Sequence, residues 1–357
     1  MNEEGKASPW GLALGLLRVL LTAAVLWCLV LGTQSRALEA VPAAGTGTKK
    51  LVPLGSTVGI KLFSQGVMVV GLSPVVTEDG DLSPARDCGL KEGDIITHIN
   101  SEQVDTIEEV RDVLQELEGE QMSIRAVRAG KQLQLTGEAV QCAADGAYKL
   151  GAWIRDSMAG IGTLTWYDPE TGVFAALGHG INDVDTSLLM PLQTGSIMTS
   201  TVTGVQKGEQ GSPGELHGAF DLQSDLGTLY ANTDGGIFGT AADSFQGEGE
   251  GLPVAKRSQV KTGKATILSN ISGSEITEYE VEIMRVYPAS ASDTRDLMIK
   301  VTDPELLEAT GGIVQGMSGS PILQNGLLVG AVTHVLVNDP TCGYGILAET
   351  MLNRAQV

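Results

Sequence analysis

From Gly151 to Val357 the chain breaks into short apolar runs separated by Gly, Asn, Asp and Ser, and no long stretch keeps helical spacing. TLTWYD, GVFAALGHGI, GSIMTSTVTGV, GKATILSNI, YEVEIMRVY and LLVGAVTHVLV are each bounded by turn formers, which is the pattern of strands. For about 200 residues of this kind, a β-barrel or a pair of β-barrels is the architecture that removes its own open edges. Composition agrees: 46 of the 357 residues are Gly and 4% are aromatic, as suits a fold with many tight turns at positive φ.

The N-terminus is of another kind. Trp10 to Gly32 is apolar except for Arg18, and about 20 such residues span a bilayer as a helix. The run after Arg18 is short enough for a signal-peptide core, but no clean small-residue cleavage site follows it. Residues 1–36 are therefore expected to hold an uncleaved transmembrane anchor and residues 37–50 a linker, with the rest of the chain outside the cytoplasm. A formal net charge of −20 argues against nucleic acid as a partner, because phosphate binding needs a basic surface. None of Cys28, Cys88, Cys142 and Cys342 forms a CxxC pair or a zinc-ligand spacing, so all four are expected to be structural.

Residues 51–140 carry a different pattern. VGIKL and GVMVVGL have strand composition, and TIEEVRDVLQELEG is an amphipathic helix with Val110, Val113, Leu114 and Leu117 at helical spacing. Thr106 and Glu109 make a capping box, and Gly119 ends the helix. MSIRAVRAGKQLQLTGEAV follows as two strands around a turn at Ala129-Gly130. The text SPARDCGLKEGDIITHIN, ahead of that helix, resembles a PDZ domain. In that family a loop presents backbone N–H groups to a peptide terminus, and the peptide adds as an edge strand. The resemblance implies that Val58, Gly59 and Ile60 form this loop.

Residues 145–357 contain the chemistry. In GGIVQGMSGSPIL, glycines flank Ser318, so a sharp turn can expose the hydroxyl and leave nearby amides unobstructed. Ser320 is the competing serine, directly before Pro321. The run resembles the G-x-S-G-x-P motif of chymotrypsin-like serine peptidases, which implies Ser318 as nucleophile and the N–H groups of Gly316 and Ser318 as oxyanion hole. Among the four histidines, His98 is expected to be structural, His217 to lie in a solvated turn, and His334 to line a core or pocket. His179 lies between two glycines at the end of FAALGHGI, upstream of the serine, and the resemblance to chymotrypsin-like peptidases, whose base holds a similar place, implies His179 as the general base. The acid stays open between Asp303, Asp183, Asp185, Asp221 and Asp225. Asp303 also starts a helix well, with Pro304 behind it.

LGHGINDVDT, KGEQGSPGELHG and GGIVQGMSGSPILQNGLLVGAVTHVLVNDPTCGYGI resemble the stage IV sporulation protein B peptidases of endospore-forming bacteria, and so does the order of anchor, PDZ and peptidase. This resemblance implies a triad of His179, Asp303 and Ser318 with no cofactor. It also implies a setting: export from the forespore into the intermembrane space, self-cleavage, and cleavage of a regulatory membrane protein. That cut frees an intramembrane protease to mature a late sigma factor. The alternative is a non-catalytic, membrane-tethered PDZ adaptor that binds peptide C-termini.

Overall fold

The structure, a computed structural model, describes residues 49–355 apart from 246, 248 and 291–293. The anchor expected over residues 1–36, and nearly all of the linker, lie outside the described residues. Among those described, no helix is long and apolar enough to cross a membrane.

Strands β1 (Lys50–Pro53) and β2 (Thr57–Leu72) come first. They are followed by β3 (Ile95–Ile99), helix α1 (Ile107–Leu117), β4 (Met122–Arg128) and β5 (Lys131–Gly137). Next are β6 (Ala152–Asp168), β7 (Val173–Ala176), β8 (Thr194–Gln206), β9 (Glu215–Thr233) and β10 (Gly236–Ala241). The remainder holds β11 (Gly263–Ser272), β12 (Glu275–Val286), β13 (Leu297–Val301), helix α2 (Pro304–Thr310) and β14 (Pro321–Gln324). It ends with β15 (Leu327–Leu336), β16 (Asp339–Leu347) and helix α3 (Ala348–Arg354).

Two antiparallel rings result. In the first, β6, β7, β10, β9, β8 and β2 pair in turn, and β2 pairs back to β6. In the second, β11, β12, β13, β16, β15 and β14 close a barrel. The first ring is filled by Val58, Ile60, Leu164, Phe174, Ile197 and Ile237. Ile267, Val281, Ile299, Ile322 and Val332 belong to the core of the second. Trp166 and Phe238 from the first ring pack with Leu328, Ala331 and Ile346 from the second, so the two share an apolar wall. Closed rings leave few unpaired strand edges, which answers the barrel expectation in physical terms.

β2 and β6 are too long for one ring, at 16 and 17 residues. Their surplus halves build a second unit: Val67 and Met68 pair with β3, β3 with β4, β4 with β5, and Ala152–Arg155 with Met68–Leu72. Val110, Val113 and Leu114 of α1 are buried against this sheet with Ile96, Ile99 and Ile124. Both halves of the Thr106–Glu109 capping box are formed, and Glu118 turns left-handed at the helix end.

The PDZ loop expected at Val58, Gly59 and Ile60 is corrected by this topology. All three lie in β2 inside the first ring, hydrogen-bonded on one side to β6 and on the other to β8. A strand paired on both edges has no backbone group left for a peptide. Gly66 separates the two halves of β2, at φ +80, with its N–H held by Asp105 Oδ1 at 2.7 Å. The sequence boundary at residue 51 therefore assigns a barrel strand to the PDZ unit. It also leaves out Leu150 and the Ala152–Arg155 strand. A fragment spanning residues 64–156 should melt cooperatively by circular dichroism. A 51–140 fragment, with Val58, Ile60 and Leu62 stripped of their ring, should aggregate or melt without a transition. The reverse result would place the structural boundary elsewhere.

Candidate active site

Ser318 sits on the turn between α2 and β14. That turn is tied across to the first ring through one residue of β6: Thr163 N–H donates to Ser318 O at 3.0 Å, and Thr163 Oγ1 donates to Gly316 O at 2.8 Å. Gly319 has φ +101, and a Cβ there would collide with the Thr163 carbonyl oxygen, so only glycine fits. The N–H groups of Met317, Gly319 and Ser320 are bonded to Val314, Val332 and Met317 carbonyls. Those of Gly316 and Ser318 have no acceptor among the described residues. The alternation leaves two amides of the turn able to receive a ligand oxygen. Ser318 Oγ donates to Thr333 O at 2.6 Å. Ser320 is fully buried and bonded to Ser269 Oγ, which removes it as a nucleophile.

His179 follows β7 after two residues of positive φ, Leu177 and Gly178. The Thr163 carbonyl accepts from Leu177 N–H at 3.2 Å, so Thr163 touches the histidine segment as well as the serine turn. His179 Nδ1 lies 2.8 Å from Gly180 O, and the His334 ring lies 4.8 Å from the His179 ring. Burial, with a smaller push from His334, lowers the His179 pKa to about 4. The imidazole is neutral at pH 7 and free to accept a proton.

His179 and Ser318 line one cavity of about 440 Å³, together with Gly316, Thr333 and His334. Ile60, Met158, Ile161, Ile313 and Val335 make its wall apolar, and among the described residues no Asp, Glu, Lys or Arg lines it. A neighbouring pocket of about 450 Å³ shares Ala159, Gly160, Ile161 and Gly316 with it and is also lined by His217. His217, expected in a turn, is in β9 opposite Gly204. The polar, Gly-containing sequence of this 19-residue strand hides it from a search for apolar alternation.

The third member of the implied triad is elsewhere. Asp303 is the N-cap of α2: Oδ1 accepts from the Glu305 and Leu306 N–H groups at 2.9 and 3.0 Å, and Oδ2 from Glu280 N–H at 3.2 Å. It does not line the cavity. Three backbone donors hold this carboxylate at the helix end, the role its Asp-Pro context also indicated. Asp183 and Asp185 both pair with Arg155. Asp225 lies in a strand opposite Met198, and Asp221 is in the same strand. Thr163, the residue that joins both halves of the site, carries no sequence signal; it is one small residue in a strand of small residues.

The PDZ unit offers a groove of about 480 Å³ between α1 and the Ala152–Ile154 end of β6. Here β6 is paired only with β2, so its other edge faces α1 unpaired among the described residues. Lys149-Leu150-Gly151 enters this edge, with Gly151 at φ +75. Trp153, Val76 and Ile107, all exposed, border the groove.

A PDZ domain family matches residues 76–128. A zinc metalloprotease RasP of Shouchella clausii is 38% identical over 76 residues, which are 21% of this chain and 17% of that protein. Among solved structures, the PDZ domain of the SdrC-like protein Lmo2051 from Listeria monocytogenes aligns over 25% of this chain and 87% of its own, at 23% identity and TM-score 0.21. The active form of the Rv3671c protease from M. tuberculosis aligns over 69% of this chain and 84% of its own, at 15% identity and TM-score 0.32. The SpoIVB peptidase S55 family matches residues 146–352. Since that match takes in both rings from β6 onward, with the serine turn and the histidine, this chain belongs to the SpoIVB peptidase S55 family, as a serine peptidase that carries a PDZ domain.

Proposed function

We propose that the chain is an endopeptidase in which His179 takes the proton of Ser318 Oγ as that oxygen attacks a peptide carbonyl. The observation that carries this reading is the shared cavity: one side chain follows a strand of the first ring, the other precedes a strand of the second, and both reach one uncharged space. The serine hydroxyl first gives up its bond to Thr333 O and turns to the imidazole. The unoccupied N–H groups of Gly316 and Ser318 then receive the oxyanion, and His179 returns its proton to the leaving amine. Water releases the acyl group by the same steps. The two-ring arrangement, with His179 on one ring and Ser318 on the other, resembles that of chymotrypsin-like peptidases, which supports this reading.

The substrates are proteins, and the apolar cavity favours an apolar side chain beside the scissile bond. Membership in the family supports a sporulation setting. The chain would be anchored by residues 1–36 with both folded units outside the cytoplasm, and it would cleave itself and a regulatory membrane protein that restrains an intramembrane protease. The groove beside Trp153 takes an extended peptide by strand addition, bringing the substrate to the same strand that walls the cavity.

Three measurements test this. A fluorophosphonate probe should label the full chain at Ser318, and Ser318→Ala should lose labelling and proteolysis by several orders of magnitude. An intact Ser318→Ala chain that still cuts protein would remove the assignment, and a wild-type chain that binds peptides without cutting would favour the adaptor. The labelling rate should hold as pH falls through 6 and drop only toward 4, because the base is active when neutral and its pKa is lowered to about 4. Stability moves with the same sign: between 6.5 and about 4 the unfolded histidine binds a proton that the folded one refuses, so the fold weakens as pH falls through that window. An acidic limb near 6.5 would contradict a half-buried base whose surroundings keep it neutral. Finally, peptides with an apolar C-terminus should shift Trp153 fluorescence, and Ile107→Asp should abolish the shift while probe labelling persists.

A further inference from the structure

The base has an orienting partner, and it is a peptide group. His179 Nδ1 meets Gly180 O at 2.8 Å. That carbonyl belongs to the same peptide unit as the Ile181 N–H, which donates to Asn232 Oδ1 at 2.8 Å. The Asn232 amide is itself fixed in direction. Its Nδ2 donates to Ile181 O at 3.0 Å and to Met190 O at 2.9 Å, so the oxygen must face the Ile181 N–H. Packing also confines the unit, since a Cβ on Gly180 would meet Leu189 and the Thr233 carbonyl, next to Asn232.

The charged groups around this segment are otherwise engaged. Asp183 and Asp185 are held by Arg155, and Asp234, on the turn after β9, by Arg354. His334 on β15 is the titratable neighbour whose ring faces the imidazole. Among the described residues no carboxylate bonds to His179.

We infer that Asn232 is a positioning residue for the peptidase reaction: through the Gly180–Ile181 peptide unit it holds the proton of His179 on Nδ1 and leaves Nε2 as the base. The inference rests on the reading of His179 as base. An N–H drawn toward one acceptor makes the carbonyl of its own peptide a stronger acceptor, because hydrogen bonds in a chain polarise one another. A neutral relay of two hydrogen bonds thus stands where other serine peptidases use a carboxylate to fix the tautomer. No bond is made or broken in the relay, and the Nδ1 proton stays on the ring throughout.

The test uses the full chain in detergent and the fluorophosphonate probe. Asn232→Ala should lower the maximal labelling rate by roughly 100-fold, the scale of a mispositioned catalytic group, with half-saturation little changed. Asn232→Gln, which keeps both donor and acceptor, should recover part of it. Nitrogen-15 spectra of histidine-labelled wild-type protein near pH 7 should show His179 protonated on Nδ1, and Asn232→Ala should show mixed tautomers. The spectrum of the wild type decides the matter even if the variant fails to fold. A wild-type ring protonated on Nε2, or an unchanged rate in Asn232→Ala, overturns the inference. So does Asp303→Asn if it removes labelling without changing the melting temperature, since a carboxylate would then do this work. Persistent activity in Ser318→Ala is a separate outcome, which removes the catalytic reading beneath the inference.

Discussion

The arrangement depends on a single strand, β6, and within it on Thr163. From one end to the other β6 borders the peptide groove, sends Arg155 to the loop beyond His179, walls the cavity at Met158–Ile161, and enters the core at Leu164 and Trp166. Thr163 uses three polar groups at once: its N–H and hydroxyl hold the serine turn, and its carbonyl holds the segment that leads to His179. Each such bond contributes about 1 kcal/mol net, but the geometric effect is larger than that figure. The bonds tie the His179 segment and the Ser318 turn to one strand, and the proposed catalysis would be sensitive to a displacement of about 1 Å in either.

Charge is distributed to protect that centre. The chain carries a formal net charge of −20, yet no Asp, Glu, Lys or Arg among the described residues lines the cavity. Where carboxylates are buried they are neutralised locally. Asp183 meets Arg155 and also accepts from the N–H groups of Asp185 and Thr186, and Asp94 is bonded to Arg128 through both oxygens. Asp296 does the same with Arg257 and the Leu347 N–H, docking α3 against the second ring. A buried pair of this kind adds little net stability against an apolar replacement, but it specifies one packing, because breaking it leaves an uncompensated charge.

The features legible in the sequence were those with local causes. The α1 cap and its buried face, the turn at Ala129-Gly130 and three of the six strands of the second ring, β11, β12 and β15, follow from spacing and turn chemistry within a few residues of each other. The serine turn was legible for the same reason, since Gly316 and Gly319 serve it directly. What the sequence concealed depends on distant pairing. VGIKL and GVMVVGL look like two strands of one small unit, and only the partners β6 and β8, about 100 residues or more away, decide that the first belongs to a barrel. Asp303 shows the opposite failure. Its local signal, an N-cap before Pro304, was correct, and the motif resemblance pulled against it. Asn232 has no motif at all. Its role comes from the hairpin that returns β9 beside the loop after His179.

The proposed neutral peptide relay and a low His179 pKa belong together. A carboxylate at Nδ1 would stabilise the imidazolium and raise the pKa, aiding the step in which His179 holds the serine proton. Without it, burial and His334 keep the ring neutral over a wide pH range, and the charged intermediate costs more to form. Such a site should be slow on any accessible peptide. It would gain most from substrates whose binding elsewhere, along the open edge of β6 at the PDZ groove as proposed, offsets the price of positioning the scissile bond. The strand that joins groove to cavity is the same strand that joins base to nucleophile. Under the proposed function, selectivity would be carried by the continuity of β6, with a weak catalytic centre making it dependent on the groove.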